Sequence, residues 1–314
     1  MTNDHCPMTN DPMTFKTRAG MVAVVGAANA GKSSIINQLT GEKVCIVSPV
    51  AQTTRNQIRA ILTEEERQVV FVDTPGSHTG GKKQLNKQMN KMARGATEGM
   101  DVVMLVVDRS ISVAVEVDGW MRRLAKETEA KLLFILNKSD LPDKAGESLR
   151  SLWQDICTEK EKNPAVEWHE VSAETGEGID ELRSWLFAAM PESPLLFPED
   201  MLSDFPRKLA IGDVIREKYF HRLRQELPHS VAVWVEHLHE QEGKWEIEAH
   251  VYVREHSQKG MVIGKNGRLL KGVRGEAATE LNEMYGVRIK LTLVVKVMKD
   301  WDKNFWILRK LGYA

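Results

Sequence analysis

Cysteine is scarce: Cys6, Cys45 and Cys157 are odd in number, widely spaced and form no CxxC pair. That argues against a disulfide framework or a zinc site and fits a reducing compartment. Long apolar runs are missing too, none approaching the roughly 18 residues that a membrane span needs. Neither charge is in excess, with 43 basic and 44 acidic residues and a formal net charge of −1. Any nucleic-acid partner must then be met by a local patch rather than by bulk charge. A hydrophobic share of 42% and a charged share of 28% exclude the disordered and collagen-like classes. The first twenty residues lack both the apolar core of a signal peptide and the arginine-rich, acid-poor look of a transit peptide. Within them Met1-Thr2-Asn3-Asp4 is echoed by Met8-Thr9-Asn10-Asp11. Residues 1–20 read as a flexible leader on a cytoplasmic protein.

What is present is room for about two domains. From residue 21 to 190, short apolar runs alternate with longer helical stretches. Met21–Val25, Val69–Val72, Val102–Val107 and Leu132–Leu136 read as buried strands. Near-continuous apolar strands separated by helices predict an α/β fold with a mostly parallel sheet covered on both faces. Ligands of such sheets sit at the carboxyl ends of the strands. Pro191, Pro194, Pro198 and Pro206 then interrupt the pattern, so 191–206 reads as a linker. The order changes beyond it. A helix is expected near Asp213–Leu227, strands near Val231–Val235 and Trp245–Val253, helix–loop–helix over Ser257–Tyr285, and a strand over Val287–Val297. Residues 207–314 thus predict a separate α+β domain.

Gly26-Ala27-Ala28-Asn29-Ala30-Gly31-Lys32-Ser33 matches G-x-x-x-x-G-K-[ST] between a strand and a helix. The glycines let backbone N–H groups curl around phosphates, and the positive end of the helix, with Ser34 in its first turn, faces them. Lys32 brings charge to the β/γ oxygens, and the Ser33 hydroxyl is a Mg²⁺ ligand. The bland reading is a glycine-rich turn that binds nothing. Asp73-Thr74-Pro75-Gly76 closes the second apolar strand, followed by Ser77. There Asp73 would hold Mg²⁺, and the Gly76 N–H would reach the γ-phosphate. Asn137-Lys138-Ser139-Asp140 ends the fourth strand. Asp140 can accept the paired N1–H and N2–H₂ donors of guanine, an edge adenine lacks, while a Ser172-Ala173 backbone N–H would face O6. Between the first two motifs lies Gln52-Thr53-Thr54-Arg55. A threonine there, Thr54 in preference to Thr53, would complete the Mg²⁺ shell when the γ-phosphate is present. Four motifs in this order predict a P-loop site for GTP and GDP, with Lys32, Thr54 and Gly76 acting on the transferring phosphoryl group. Ser77 stands where Ras-like GTPases carry a water-orienting Gln, so no base is identified and unaided turnover should be slow.

In the second domain Val262-Ile263-Gly264-Lys265-Asn266-Gly267 joins two helices. G-x-x-G between helices, with two strands before and a helix then a strand after, fits a type II KH domain, whose glycines let an RNA backbone approach. Lys259, Lys265, Arg268 and Lys271 form the local basic patch, with Ile263, Gly264, Asn266 and Gly267 completing the RNA-binding set. A solvated charged helix face is the competing reading.

The first domain resembles the Era family of GTPases. That family's order is G-x-x-x-x-G-K-S, Gln52-Thr53-Thr54-Arg55, Asp73-Thr74-Pro75-Gly76 and Asn137-Lys138-Ser139-Asp140, with Leu85–Lys91 also similar. Ala28 and Ala30 stand where the family commonly has Pro and Val. The end, Lys296 through Tyr313, is similar to the Era tail, so the resemblance covers nearly everything after the leader. It implies binding near the 3′ end of small-subunit (16S) ribosomal RNA, a role in assembling that subunit, and occasional contact with the inner membrane face. A monomer is expected. In related GTPases an Asn at the position of Asn29 helps bind K⁺; a plain turn residue is the alternative. An RNA-binding scaffold or chaperone with a nearly inert nucleotide site is the competing function, and a tandem GTPase is excluded by the single P-loop.

Overall fold

The computed structural model describes residues 16–50, 53–76, 84–127, 129–225 and 227–313. Residues 1–15 of the expected leader therefore lie outside the described residues, as do Gln52 and Ser77. Apolar β-branched runs form the core strands of the first half: β1 (Arg18–Gly26), β3 (Arg67–Asp73), β4 (Val102–Asp108) and β5 (Lys131–Asn137). With β2 (Ile58–Glu64) and β6 (Val166–Val171) they make a sheet ordered β2-β3-β1-β4-β5-β6. All neighbours are parallel except β2, which pairs antiparallel with β3 at the edge. One face packs on α1 (Lys32–Thr40) and α5 (Ile179–Ala189), the other on α2 (Gln84–Gly95), α3 (Val115–Glu127) and α4 (Gly146–Lys160). Strand β1 lies between β3 and β4, so the chain reverses its winding there, where such sheets open a crevice.

Strand β1 begins at Arg18, three residues before the expected domain start, because the Arg18 N–H pairs with Glu66 O at 2.9 Å and Ala19 is buried. The proline-rich stretch is strapped to the sheet. Buried Gln68 accepts the N–H groups of Leu196 and Phe197, both at 2.9 Å, and donates to Phe197 O. Further along, the Ile61 N–H donates to Leu202 O at 2.9 Å.

The second half holds α6 (Arg207–Arg222), β7 (Ala232–Gln241), β8 (Lys244–Val253), α7 (His256–Ile263), α8 (Arg268–Tyr285), β9 (Arg288–Val297) and the short α9 (Phe305–Lys310). Helix α6 starts at Arg207 and ends at Arg222, earlier at both ends than expected, since Pro206 sets its N-terminus. In the three-stranded sheet β7-β8-β9, β7 and β8 are antiparallel and β8 and β9 parallel. Alternation sorts its side chains. Val233, Val235, Val251 and Val253 pack under α6, α7 and α8, while Ala232 and Tyr252 face a second cluster of Met89, Trp301, Leu308, Leu311 and Tyr313. Met89 belongs to α2, so the two halves share that cluster. Among the described residues, no helix is long and apolar enough to cross a membrane.

Candidate functional site

The ends of β1, β3, β5 and β6 converge on a cleft of about 610 Å³. Its floor is the β1–α1 loop, where two glycines are needed sterically. A Cβ on Gly26 (φ 146°) would lie 2.3 Å from Val106 O, and one on Gly31 (φ 95°) would lie 2.0 Å from Asn137 Nδ2. Asn29 also has positive φ, 60°, and its amide donates to Pro49 O at 3.1 Å. Ala27, Ala28 and Ala30 complete the loop, and Ser34 lines the cleft from the first turn of α1. Lys32 is buried and turns its ammonium onto loop carbonyls, Ala27 O at 2.7 Å and Gly26 O at 3.3 Å. Burial lowers its pKa to about 8, against the opposing pull of Asp73.

Three oxygen groups meet beside Lys32. The Ser33 hydroxyl donates to Asp73 Oδ2 at 2.8 Å, and Thr54 Oγ1 lies 3.0 Å from Ser33 Oγ and 3.4 Å from the same Oδ2. Thr53 instead turns away, to Val50 O at 2.6 Å and Ser48 Oγ at 3.0 Å. Asp73 is fully buried, and its Oδ1 receives no N–H or O–H donor. Burial pushes its carboxyl up from the usual value, although Lys32 and hydrogen bonds from Ser33, Cys45 and Thr54 oppose this. A buried carboxylate short of donors, with two hydroxyls alongside, fits a hard divalent cation such as Mg²⁺. Thr74 anchors the following turn through its hydroxyl to Val24 O at 2.8 Å. Buried Pro75 leads into Gly76, which packs so closely on the β1–α1 loop that a Cβ would lie 2.7 Å from Ala28 Cα.

At the other end Asn137 ties loops together, donating to Ala30 O at 2.8 Å and accepting the Ala173 N–H at 3.1 Å. The N–H expected to face guanine O6 is thus engaged by Asn137. Lys138 pairs with Asp108, and the Ser139 N–H donates to Val171 O at 3.0 Å. Asp140 is exposed at the cleft, its Oδ1 accepting the Ser172 hydroxyl at 2.5 Å. The sequence reading missed two neighbours of this site. Cys45 lies buried against Asp73, and Arg55 is 1% exposed. Arg55 was visible as the end of Gln52-Thr53-Thr54-Arg55, yet its burial depends on residues more than 160 positions away.

The second candidate site is the turn between α7 and α8. A capping box between Glu255 and Gln258 starts α7, buried Val262 and half-buried Ile263 seat its end, and Gly264 (φ 76°) breaks it. A Cβ there would press to 2.7 Å from Leu269 Cβ. Asn266 and Gly267 follow with φ of 54° and 73°, conformations that glycine and asparagine tolerate. Lys259, Lys265, Arg268 and Lys271 lie on this turn and its flanking helices, and a groove of about 760 Å³ along α8 is lined by Arg268, Lys271, Gly272 and Gly275 together with Glu276, Glu280 and Glu283.

Residues 21–138 match the family described as 50S ribosome-binding GTPase, and residues 226–302 match the KH domain. GTPase Era of Thermoanaerobacter sp. (strain X514) is 38% identical over 300 residues, covering 95% of this chain and 97% of that protein. GTPase Era of Lacticaseibacillus paracasei is 37% identical, with 94% and 96% covered. Among solved structures, Era in complex with MgGDPNP and nucleotides 1506–1542 of 16S ribosomal RNA superposes with a TM-score of 0.86 at 30% identity, covering 95% of this chain and 99% of that one. A single-residue variant of Aquifex aeolicus Era bound to GDP·AlF₄⁻ gives 0.86 at 31%, covering 95% and 100%. Two motif-bearing halves and relatives matched along nearly their whole length lead to one assignment: the chain belongs to the Era family of GTPases.

Proposed function

We propose that the chain hydrolyses GTP in the cleft at the ends of β1, β3, β5 and β6. We propose also that its 264–267 loop grips single-stranded RNA near the 3′ end of 16S ribosomal RNA, as a switch in small-subunit assembly. The observation that carries the nucleotide half is the meeting of Ser33, Thr54 and Asp73 oxygens beside a buried lysine. Ser33, Thr54 and Asp73 would hold Mg²⁺, which when bound neutralises charge on the β- and γ-phosphate oxygens. Lys32 moves from loop carbonyls to phosphate, Gly76 offers its N–H to the γ-phosphate, and Asp140 accepts the guanine donors. The 26–34 loop and the 73–77, 137–140 and 172–173 segments make up the remaining contacts. In this reading residues 21–190 are the GTPase domain, 191–206 the connection and 207–314 the RNA-binding domain. Lys259, Lys265, Arg268 and Lys271 meet phosphates, and Ile263 through Gly267 let the backbone close in. The solved relative bound to both MgGDPNP and 16S nucleotides supports the pairing of activities.

GTP hydrolysis measured with and without the 3′ segment of 16S RNA, for the unchanged chain and Lys265→Asp, tests this. Slow turnover raised by RNA, with the rise lost in the variant, is expected; turnover indifferent to RNA would sink the switch. A K⁺ role for Asn29 predicts faster turnover in KCl than in NaCl. Peripheral membrane contact also belongs to this reading, supported by Phe305 (46% exposed) and Trp306 (71% exposed) beside Arg309 and Lys310. Cosedimentation with anionic vesicles, weakened by Trp306→Glu, checks it.

A further inference from the structure

Arg55 directly follows the Thr54 whose hydroxyl meets Ser33 and Asp73, yet its own side chain points out of the first half altogether. It donates to Val231 O at 3.0 Å, and its guanidinium carbon lies 5.5 Å from the Phe220 ring, 5.7 Å from Trp301 and 5.6 Å from Tyr313. Phe220 comes from α6, and Trp301 and Tyr313 from the C-terminal segment. The cage is itself locked. Arg216 of α6 donates to Thr53 O at 2.7 Å, pairs with Asp213 at 2.9 Å and hydrogen-bonds the Tyr313 hydroxyl, while Trp301 Nε1 donates to Ser230 O at 3.0 Å. Glu217 holds the near end of the same segment, accepting the Val47 N–H at 2.8 Å and pairing with Lys43 at 2.7 Å. From the first half, Met89 of α2 is buried in one cluster with Trp301 and Tyr313. Two guanidiniums share this site with the buried carboxylate of Asp213. Arg55 Nε, Arg216 Nε and Asp213 Oδ2 have no hydrogen-bond partner there, so withdrawing any one charge leaves the others buried and uncompensated, and a half-assembled site is costly.

We propose that the C-terminal segment 301–313 reads the nucleotide state, with Arg55 as a positioning residue that plugs into its aromatic cage and thereby sets Thr54 at the Mg²⁺ site. The inference rests on the nucleotide reading above and adds to it the part of the molecule that senses the switch. By linkage, whatever Arg55 docking adds to affinity for the triphosphate state, triphosphate binding returns to tail docking by the same factor. GDP lacks the γ-phosphate that calls on Thr54, so its binding is indifferent to the cage.

The test uses the full chain and measures affinities for Mg²⁺–GDPNP and Mg²⁺–GDP in Arg55→Ala, Arg55→Lys and Tyr313→Phe. Amide exchange of residues 301–313 in each nucleotide state of the unchanged chain accompanies it. Expected is a roughly tenfold loss for GDPNP with little change for GDP in Arg55→Ala. Partial recovery should follow in Arg55→Lys and a smaller selective loss in Tyr313→Phe, which keeps the ring. The tail amides should be better protected with GDPNP than with GDP. Equal losses for the two nucleotides, or tail protection blind to the nucleotide, would overturn the inference while leaving the GTP site intact. Failure of the unchanged chain to bind either nucleotide would remove the underlying reading instead.

Discussion

Lys32 is held inside its own loop, its ammonium donating to the carbonyls of Gly26 and Ala27. Burial keeps it near pKa 8 instead of 10.5. Between those values the unfolded chain binds more protons than the folded one, so stability without nucleotide should rise as pH climbs from about 8 to about 10.5. The whole effect is on the order of 3 kcal/mol, and Lys32→Met should remove that pH dependence in denaturant titrations. A phosphate beside the ammonium raises its pKa again. Nucleotide binding at pH 9 should therefore take up protons, seen as a calorimetric heat that changes with buffer ionisation enthalpy. Gly76 makes a different demand. Because a methyl there would sit 2.7 Å from Ala28 Cα, Gly76→Ala must hold the two loops apart. We expect it to lower hydrolysis steeply with GDP affinity nearly unchanged, read by single-turnover kinetics and equilibrium binding. Asp140, Ser33 and Asp73 were legible as residues because their motifs are local. Arg55 was not, since nothing in its neighbourhood of sequence announces an aromatic cage drawn from residues 220, 301 and 313.

Elements were legible in proportion to how fully they are buried. Strands β1, β3, β4 and β5 carry near-continuous apolar runs and were read directly. Strand β2, Ile-Arg-Ala-Ile-Leu-Thr-Glu, sits at an edge with Arg59 exposed and pairs antiparallel, so its pattern carries no clear strand period. The 191–206 stretch looks like a tether by its prolines, but buried Gln68 holds it against the sheet through hydrogen bonds that no local pattern encodes. The 264–267 turn was legible because positive φ at three of its positions needs glycine or asparagine. Its function should scale with the cations around it. For a single-stranded partner, replacing any one of Lys259, Lys265, Arg268 or Lys271 by alanine should reduce the slope of log K against log salt by about 0.7. Fluorescence titrations across several salt concentrations give that slope, and an unchanged value would mean the residue meets no phosphate.

The two halves meet through a shared apolar cluster as well as through buried polar contacts. Met89 from the first half is buried with Ala232, Tyr252, Trp301, Leu308, Leu311 and Tyr313 from the second, and Arg55 and Arg216 cross the boundary in opposite directions. A joint made of core should transmit stability across the whole chain, so the Mg²⁺–GDPNP complex should unfold in one calorimetric transition with matching van't Hoff enthalpy. Ligand at about a hundredfold its dissociation constant should shift that transition as a unit, by about 2.7 kcal/mol. Trp301 is the centre of the joint, fully buried with its indole N–H bound to Ser230 O. Trp301→Ala should cost about 3–5 kcal/mol in the second half and, by emptying the shared cluster, divide the melt in two. GDPNP would then raise only the transition of the GTPase half, whereas in the unchanged chain it raises the whole. A variant that still melts in one step, with the full nucleotide shift, would show that the halves are coupled through the 191–206 strap or the α6 contacts to Lys43, Val47 and Thr53 rather than through the tail.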